Sequence, residues 1–276
     1  MNVHVVTVAT DPKGFFEALV YTAKHFGYKL TVLGKGEKWQ GWQWRIQLIM
    51  DFISRLPTTD YVMHVDAYDV IFLRPVCMLD LTLVGEKLLV GAIHPHPSEF
   101  IRNQVTAKRF FSKDPNKAQL CAGTWIGTVQ VAINIFNHAI IEDDQEYLNQ
   151  VLNINPSFLK LDDTSKIFAT LVPNITNNFL PKNHDNITFE NQVLKHGITN
   201  SYPFVLHFIG EGNMEFILEG IGLYNFKKIT DKKYNINKKL YHVKQFIINT
   251  KSIQIFIFVF FILIIFGILI SNKKYF

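Results

Sequence analysis

An apolar run that ends in two carboxylates constrains this chain more than any other stretch. Residues 61–72 read YVMHVDAYDVIF. Val62, Met63 and Val65 precede Asp66, and Val70, Ile71 and Phe72 follow Asp69. The run before Asp66 has the continuous apolar character of a strand buried in a parallel sheet. A carboxylate leaving water at the end of such a strand costs several kcal/mol unless it is paired or bound to a metal. Asp66 and Asp69 are close enough for a tight turn to point both the same way. Such a pair suits a hard divalent cation that also takes phosphate oxygens. Ligands of open α/β sheets bind beyond the carboxyl ends of strands, which is where this pair falls. The competing reading is a turn cap beside a solvated aspartate.

The flanking sequence alternates in a way that fits an α/β sheet. The β-branched run Val3 to Val8 reads as a first strand, with no charged leader before it, so it is not a signal peptide. Asp11, Pro12 and Gly14 make a turn, and Phe15 to Phe26 has helical spacing. Tyr28 to Leu33 is a second strand, closed by Gly34 and Gly36. Strand, helix, strand implies a right-handed parallel unit. Arg45 to Leu56 reads as a helix, Leu88 to Ile93 as a strand, and Cys121 to Gly127 (CAGTWIG) as a Gly-rich turn entering a short apolar run. Val129 to Ile141 looks helical, and Leu159 to Leu171 reads as a strand followed by an acidic turn. Phe204 to Asn213 is an apolar strand carrying His207 near its end, before a glycine turn.

Several side chains in this frame point to chemistry. Glu37 to Trp44, EKWQGWQW, holds three tryptophans in a loop. Indole rings give flat platforms for a base or a sugar face, or else plug one end of a core. Asp143 and Asp144 stand before the helix-like YLNQVLN, where helix capping alone would explain them. A histidine that ends a strand before glycines sits where a ligand is expected, although a lone histidine is more often a satisfied core residue. Cys77 and Cys121 form no CxxC, so neither a disulfide scaffold nor a zinc site is indicated, and a single bridge between the two stays open.

The order of these pieces resembles the glycosyltransferase domain of procollagen lysyl hydroxylases and the related collagen glycosyltransferases. The resemblance rests on VVTVAT followed by GF, on GEKW, HVDAYDVIF, CAGTWIG, DDQ, LDDTSKIF and LHFIGEG, in that order from about Val3 to Asn225. The chain departs from the family in a short segment after GEKW, in Trp44 where a basic residue is usual, and in lacking a lysine soon after the His–Gly segment. Nothing corresponds to an iron-dependent hydroxylase domain.

The resemblance implies a GT-A fold, a Rossmann-like mixed sheet flanked by helices, that binds a UDP-sugar through Mn²⁺. It implies Asp66, Asp69 and His207 as metal ligands. It implies Tyr68 stacked on uracil, Thr7 and Thr10 edging the nucleoside, and Trp39 closing over the UDP-sugar. Gly123, Gly127 and Gly210 would let the backbone approach the donor. Asp144 and Asp143 would orient or deprotonate the acceptor hydroxyl, with Asp162 and Asp163 in reserve. The substrates implied are a UDP-hexose, carrying galactose or glucose, and a hydroxyl on a collagen-like protein or a glycan. Other readings of the same carboxylates are a metal-dependent nucleotidyltransferase or phosphatase, without a D-x-D-x-T nucleophile pattern or P-loop, and an inactive membrane-anchored binding protein.

The expected organisation is a catalytic domain over 1–230, a basic linker over 231–252, a membrane helix over 253–270 and a short tail over 271–276. The chain has 276 residues, 48% of them hydrophobic, which excludes a mostly disordered protein. Its formal charge of +5 is partly concentrated in the lysines from Lys227 to Lys251, just before the apolar run. That placement favours a membrane surface, and no basic tract has the spacing of a nucleic-acid module. IQIFIFVFFILIIFGILI, from Ile253 to Ile270, carries no charge and just reaches the length of a membrane span. Signals for orientation conflict. A chain without a leader keeps its domain in the cytosol, whereas the final KKYF resembles a dilysine retrieval signal of an ER-type membrane with a lumenal enzyme. The sequons at Asn174 and Asn186 have meaning only for a lumenal domain.

Overall fold

In the computed structural model the described residues are 2–95, 100–110, 114–137, 139–172, 187–209, 214–227 and 229. Gly210, the sequon asparagines Asn174 and Asn186, the basic linker, the apolar run over 253–270 and the tail lie outside them. Among the described residues no helix is long and apolar enough to cross a membrane. Residues 1–229 form one compact unit.

The elements follow in the order β1 (Val3–Val8), α1 (Phe16–His25), β2 (Lys29–Leu33), α2 (Trp42–Ile53), β3 (Tyr61–Val65), β4 (Val70–Phe72), β5 (Leu88–Ile93), α3 (Phe100–Arg109), β6 (Gln119–Thr128), α4 (Val129–Phe136), α5 (Asp144–Ile154), β7 (Leu159–Leu161), β8 (Phe168–Leu171), β9 (Ile187–Glu190), β10 (Val193–His196), β11 (Val205–Phe208) and α6 (Glu215–Gly220). The main sheet runs β2-β1-β3-β6-β5-β8-β11-β4, with β7 beside β5. Parallel pairing joins β2, β1 and β3, and again β5, β8 and β11. β6 lies antiparallel between β3 and β5, and β4 closes one edge antiparallel to β11. The result is a mixed α/β sheet with helices on its faces. β9 and β10 form a separate hairpin whose turn residues, Asn191 and Gln192, both have positive φ, as a tight two-residue turn requires.

Alternation along the strands assigns the faces. Val6, Val8, Val62 and Val90 pack with Ile46, Ile49 and Ile53 of α2, with Ala132, Ile135 and Phe136 of α4 and with Leu148 of α5, around Trp125. Their odd-numbered neighbours Val5, Met63 and Val65 pack with Leu19 and Ala23 of α1. Farther along, Ile71, Leu206 and Phe208 meet Phe15 and Ala18 together with Ile217 and Leu218 of α6. Thr22 of α1 has a buried hydroxyl that donates to Ala18 O and accepts from Phe72 N, joining helix to sheet edge.

Three local expectations change. α2 starts at Trp42, not Arg45, so Trp42, Trp44 and the arginine stand in its first turn. α4 ends at Phe136 rather than Ile141. CAGTWIG is no turn: it is the interior of ten-residue β6, buried throughout. Its glycines and small residues serve a bulge. Where β5 advances one residue, from Val90 to Gly91, its partner on β6 moves from Trp125 to Cys121. Such extra residues bend a strand and re-aim its side chains.

The acidic turn after β7 is structural on one side. Asp162 is buried, and its carboxylate accepts from the backbone N–H groups of Lys166, Ile167 and Phe168 at 3.1, 2.7 and 2.8 Å. It thereby holds Ser165 in the left-handed region and feeds the chain into β8. Asp163 is exposed. Replacing Asp162 by Ala strands these donors, so thermal or urea unfolding should show a loss of about 1–3 kcal/mol. A variant as stable as the wild type would remove Asp162 from this role.

Candidate metal and donor site

The site lies where β3 ends and the β6 bulge crosses it. Asp66 follows β3 directly, and its backbone N–H donates to Gly123 O at 2.8 Å. Asp69 stands just before β4, whose pairing with β11 brings His207 opposite Val70. Asp66, Asp69 and His207 each offer a ligand atom, and these atoms all lie within 4.8 Å of one another. His207 Nε2 is 3.3 Å from Asp69 Oδ1 and 3.7 Å from Asp66 Oδ2. That nitrogen is buried and makes no hydrogen bond among the described residues. Two carboxylates and one imidazole suit a borderline divalent ion such as Mn²⁺, so the residues fit the ion that the resemblance implies. Gly123 makes this approach feasible: a Cβ there would stand 2.3 Å from His207 Cε1 and 2.6 Å from Asp66 Oδ2.

A residue not foreseen as functional holds the cluster in place. Arg45, buried on the inner side of α2, donates to Asp66 Oδ1 at 2.8 Å and to Asp144 Oδ2 in a close ion pair. Burial disfavours its charge, but Asp144 and Asp66 outweigh this and raise its pKa. Because Arg45 takes Oδ1 of Asp66, Oδ2 is left turned toward His207. Burial raises the pKa of Asp66, opposed by Arg45 and His207. Burial works against the charged form of His207, yet the Cys121 sulfur and Asp69 beside it hold its pKa well above the usual value. His64 lies in the same region, stacked on Trp125 at 5.3 Å. Burial first, then Arg45 and His207, push its pKa well down, so it stays neutral.

The acidic pair before α5 divides. Asp143 is the cap, accepting from Glu146 N at 3.0 Å. Asp144 is turned inward to Arg45. Gln145 was also not foreseen as functional. Its amide accepts from Ala122 N and donates to Leu120 O, both at 2.9 Å, clamping the start of α5 to the β6 bulge.

The remaining donor-side residues fall in three groups. Tyr68 is half-buried, its hydroxyl accepts from Thr10 N at 3.2 Å, and Lys13 Nζ sits 4.8 Å from its ring centre. Gly14, at φ 58°, touches the Tyr68 backbone where any Cβ would be 2.5 Å from its carbonyl oxygen. Trp39 is exposed and edge-on to both Trp42 and Trp44, and Arg45 lies 4.8 Å from the Trp42 ring centre. The tryptophan loop therefore adjoins the metal cluster through Arg45. Two expected residues are buried in internal contacts. Thr7 is fully buried, and its hydroxyl donates to Val65 O at 2.7 Å, fastening β1 to β3 beneath the site. Gly127 pairs with Val62 and packs on Leu88, about 13 Å from Asp66 at roughly 3.3 Å per strand residue.

The signal that could have found Arg45 is its spacing. It shares the buried face of α2 with Ile49 and Ile53, and an arginine there demands carboxylates. Gln145 and Cys121 carry no comparable mark, since their partners come from distant chain.

A stretch of 78 residues is 38% identical to the Caenorhabditis elegans multifunctional procollagen lysine hydroxylase and glycosyltransferase, covering 25% of this chain and 11% of that protein. The chain thus spans only about a tenth of that relative. Among solved structures, a glycosyltransferase involved in glycosylation of the major capsid of PBCV-1 is 11% identical, with a TM-score of 0.45 over 76% of this chain and 94% of that one. The galactosyltransferase LgtC, in complex with donor and acceptor sugar analogs, is 12% identical, with a TM-score of 0.42 over 84% of this chain and 99% of that one. The PLOD GT domain family matches residues 1–235. With the match running over most of its length, the chain belongs to the PLOD GT domain family and is a glycosyltransferase.

Proposed function

We propose that this glycosyltransferase is Mn²⁺-dependent and moves a hexose, galactose or glucose, from a UDP-sugar to a hydroxyl of a collagen-like protein or a glycan. The observation that carries the reading is the convergence of Asp66, Asp69 and His207, with ligand atoms within 4.8 Å, at the end of a buried strand. Family membership and the neighbouring tryptophan loop support it.

When bound, a divalent ion would act as a Lewis acid that neutralises charge on the departing diphosphate. The protein's own residues do the rest. Asp66, Asp69 and His207 hold the ion, and Arg45 keeps Asp66 aimed at it. Binding an ion requires His207 to release its proton, and three carboxylates, Asp66, Asp69 and Asp144, against one guanidinium then leave two negative charges beside a neutral imidazole, which complements a divalent cation. Tyr68 offers its ring to uracil beside Thr10, and Trp39 closes the rim over the sugar. Asp144 orients the acceptor hydroxyl, and Asp143 fixes the helix that carries it. The proposal includes a single membrane helix over 253–270, preceded by the basic stretch, in an ER-type membrane.

Calorimetry with UDP should show Mn²⁺-dependent binding in the wild type and none in Asp69→Ala, with the fold retained. Equal UDP affinity in the variant would end the assignment of the metal site.

Asp144→Asn keeps the side chain's size and an acceptor for Arg45 while removing its charge. Arg45 retains Asp66, so the stability loss should stay below the roughly 3–5 kcal/mol of a fully broken buried pair. Transfer from UDP-galactose or UDP-glucose should fall by at least about a hundredfold, the scale of a lost positioned acid or base, with UDP affinity near native. Transfer within a few-fold of wild type would leave Asp144 as an anchor for Arg45 only.

Deleting Ser252 to Phe276 should release a soluble domain from membranes. Continued pelleting of that protein with vesicles would put the membrane attachment elsewhere.

A further inference from the structure

One buried atom beside the ligands is not used by this reading, the sulfur of Cys121. The residue is 2% exposed and its thiol is free. Sγ lies 3.4 Å from Nδ1 of His207, on the side of the ring away from the carboxylates. The other ring nitrogen, Nε2, faces Asp69 Oδ1 and Asp66 Oδ2. The ring has little freedom, because the Gly123 backbone lies against its Cε1–Nδ1 edge.

A cation binds only an imidazole that has released its second proton, and the neutral ring carries one donor nitrogen and one acceptor nitrogen. With the proton on Nδ1, that N–H donates to Cys121 Sγ, and the Nε2 lone pair points into the space between Asp66 and Asp69. With the proton on Nε2, an N–H points there instead, and the ring offers a cation nothing. The partner of the non-ligating nitrogen selects between the two states. We infer that Cys121 is a positioning residue for the metal site, its sulfur accepting the Nδ1 proton of His207 and holding Nε2 as the ligand atom. The inference rests on the metal reading above and adds a residue to it.

The strand geometry explains how a β6 residue reaches this place. The bulge brings Cys121, rather than Thr124, opposite Gly91 of β5. β5 and β11 both pair with β8, through Ile93 and His207 on Thr170, so His207 lies across the sheet from that bulge. The Gln145 amide holds Leu120 and Ala122, the residues on either side of Cys121, by their backbone groups. The sulfur is thus fixed on a clamped backbone, as a group that orients another side chain must be.

The competing account is packing. Cys121 also lies with Ile93, Phe110 and Ile209 in a small apolar cluster, and a buried cysteine often acts as a small hydrophobe. Valine would serve packing equally well but accepts no hydrogen bond, whereas serine keeps an acceptor and packs worse. The two substitutions therefore rank in opposite orders under the two accounts.

Mn²⁺ affinity of the full chain, read from the electron paramagnetic resonance of the free ion, and melting of the metal-free protein separate them. Cys121→Val should melt close to wild type and bind Mn²⁺ about 10–100-fold more weakly, the usual effect of losing a residue that orients a ligand. Cys121→Ser should bind within about threefold of wild type even if it melts lower. Should the valine variant fail to fold, Cys121→Ala replaces it with the same expected order of affinity. Valine or alanine binding as tightly as wild type overturns the inference, and so does serine binding as weakly as valine. A wild-type chain that binds no Mn²⁺ overturns the metal reading itself, which is a different result from wild-type binding that is indifferent to residue 121.

Discussion

A single buried guanidinium sets the geometry on which the site depends. Arg45 leaves the first turn of α2 and contacts carboxylates from two other elements, Asp66 after β3 and Asp144 at the start of α5. Removing one partner of a buried charge pair costs about 3–5 kcal/mol, because the remaining charge stays out of water. The three elements are therefore locked to one another by more than apolar contact. The lock is also directional. A planar guanidinium presents its donors in a fixed fork, so it fixes which oxygen of each carboxylate it uses. Here it takes Oδ1 of Asp66 and leaves Oδ2 facing His207.

The β6 bulge is the backbone counterpart of that lock. A regular strand between β3 and β5 would pair evenly with both. Instead β6 keeps register with β3 through Thr124 and loses it with β5 after Val90. The extra residues bring Gly123 over Asp66 and His207, where only hydrogen fits. Gln145 satisfies the backbone groups that this irregularity exposes, and it comes from the helix turn that carries Asp144. Bulge, helix start and arginine bridge therefore support one another. An apolar strand with a glycine and no clamp would leave the same carboxylates without a defined arrangement.

Much of this was legible in the sequence. Periodicity marked β1, α1, β2, β5 and the strand before Asp66, because each carries an apolar pattern long enough to stand out. The structure brings together Asp66, Asp69 and His207: the aspartate pair stands out by its spacing at a strand end, and the resemblance joins the histidine to it. What the sequence hid has a common cause. CAGTWIG read as a turn because small residues and glycines signal turns locally, whereas here they relieve crowding inside a buried strand. Arg45 read as a helix residue, with its partners 21 and 99 positions away. Cys121 read only as a cysteine outside any CxxC, and its histidine lies 86 positions on. The resemblance implies Thr7 as a nucleoside contact, and long-range pairing gives its hydroxyl an internal partner, Val65 O. Local pattern reports what a segment buries, and long-range pairing decides which buried polar group serves a site.

The two acidic pairs carry this distinction furthest. Asp143–Asp144 and Asp162–Asp163 look alike in sequence, each a pair of aspartates near an element boundary. In both, the structure buries one carboxylate deeply and leaves the other more exposed. The buried members differ in what answers them. Asp162 meets three backbone N–H groups of its own turn, which satisfy a carboxylate while giving it no link to distant residues. Asp144 meets a side chain from another helix, whose second carboxylate partner is a residue of the metal-ligand cluster. Burial alone therefore does not distinguish a catalytic candidate from a structural anchor. The partner does, since only a carboxylate answered by Arg45 is electrostatically coupled to the site, and the same coupling keeps Asp144 aimed there rather than at solvent.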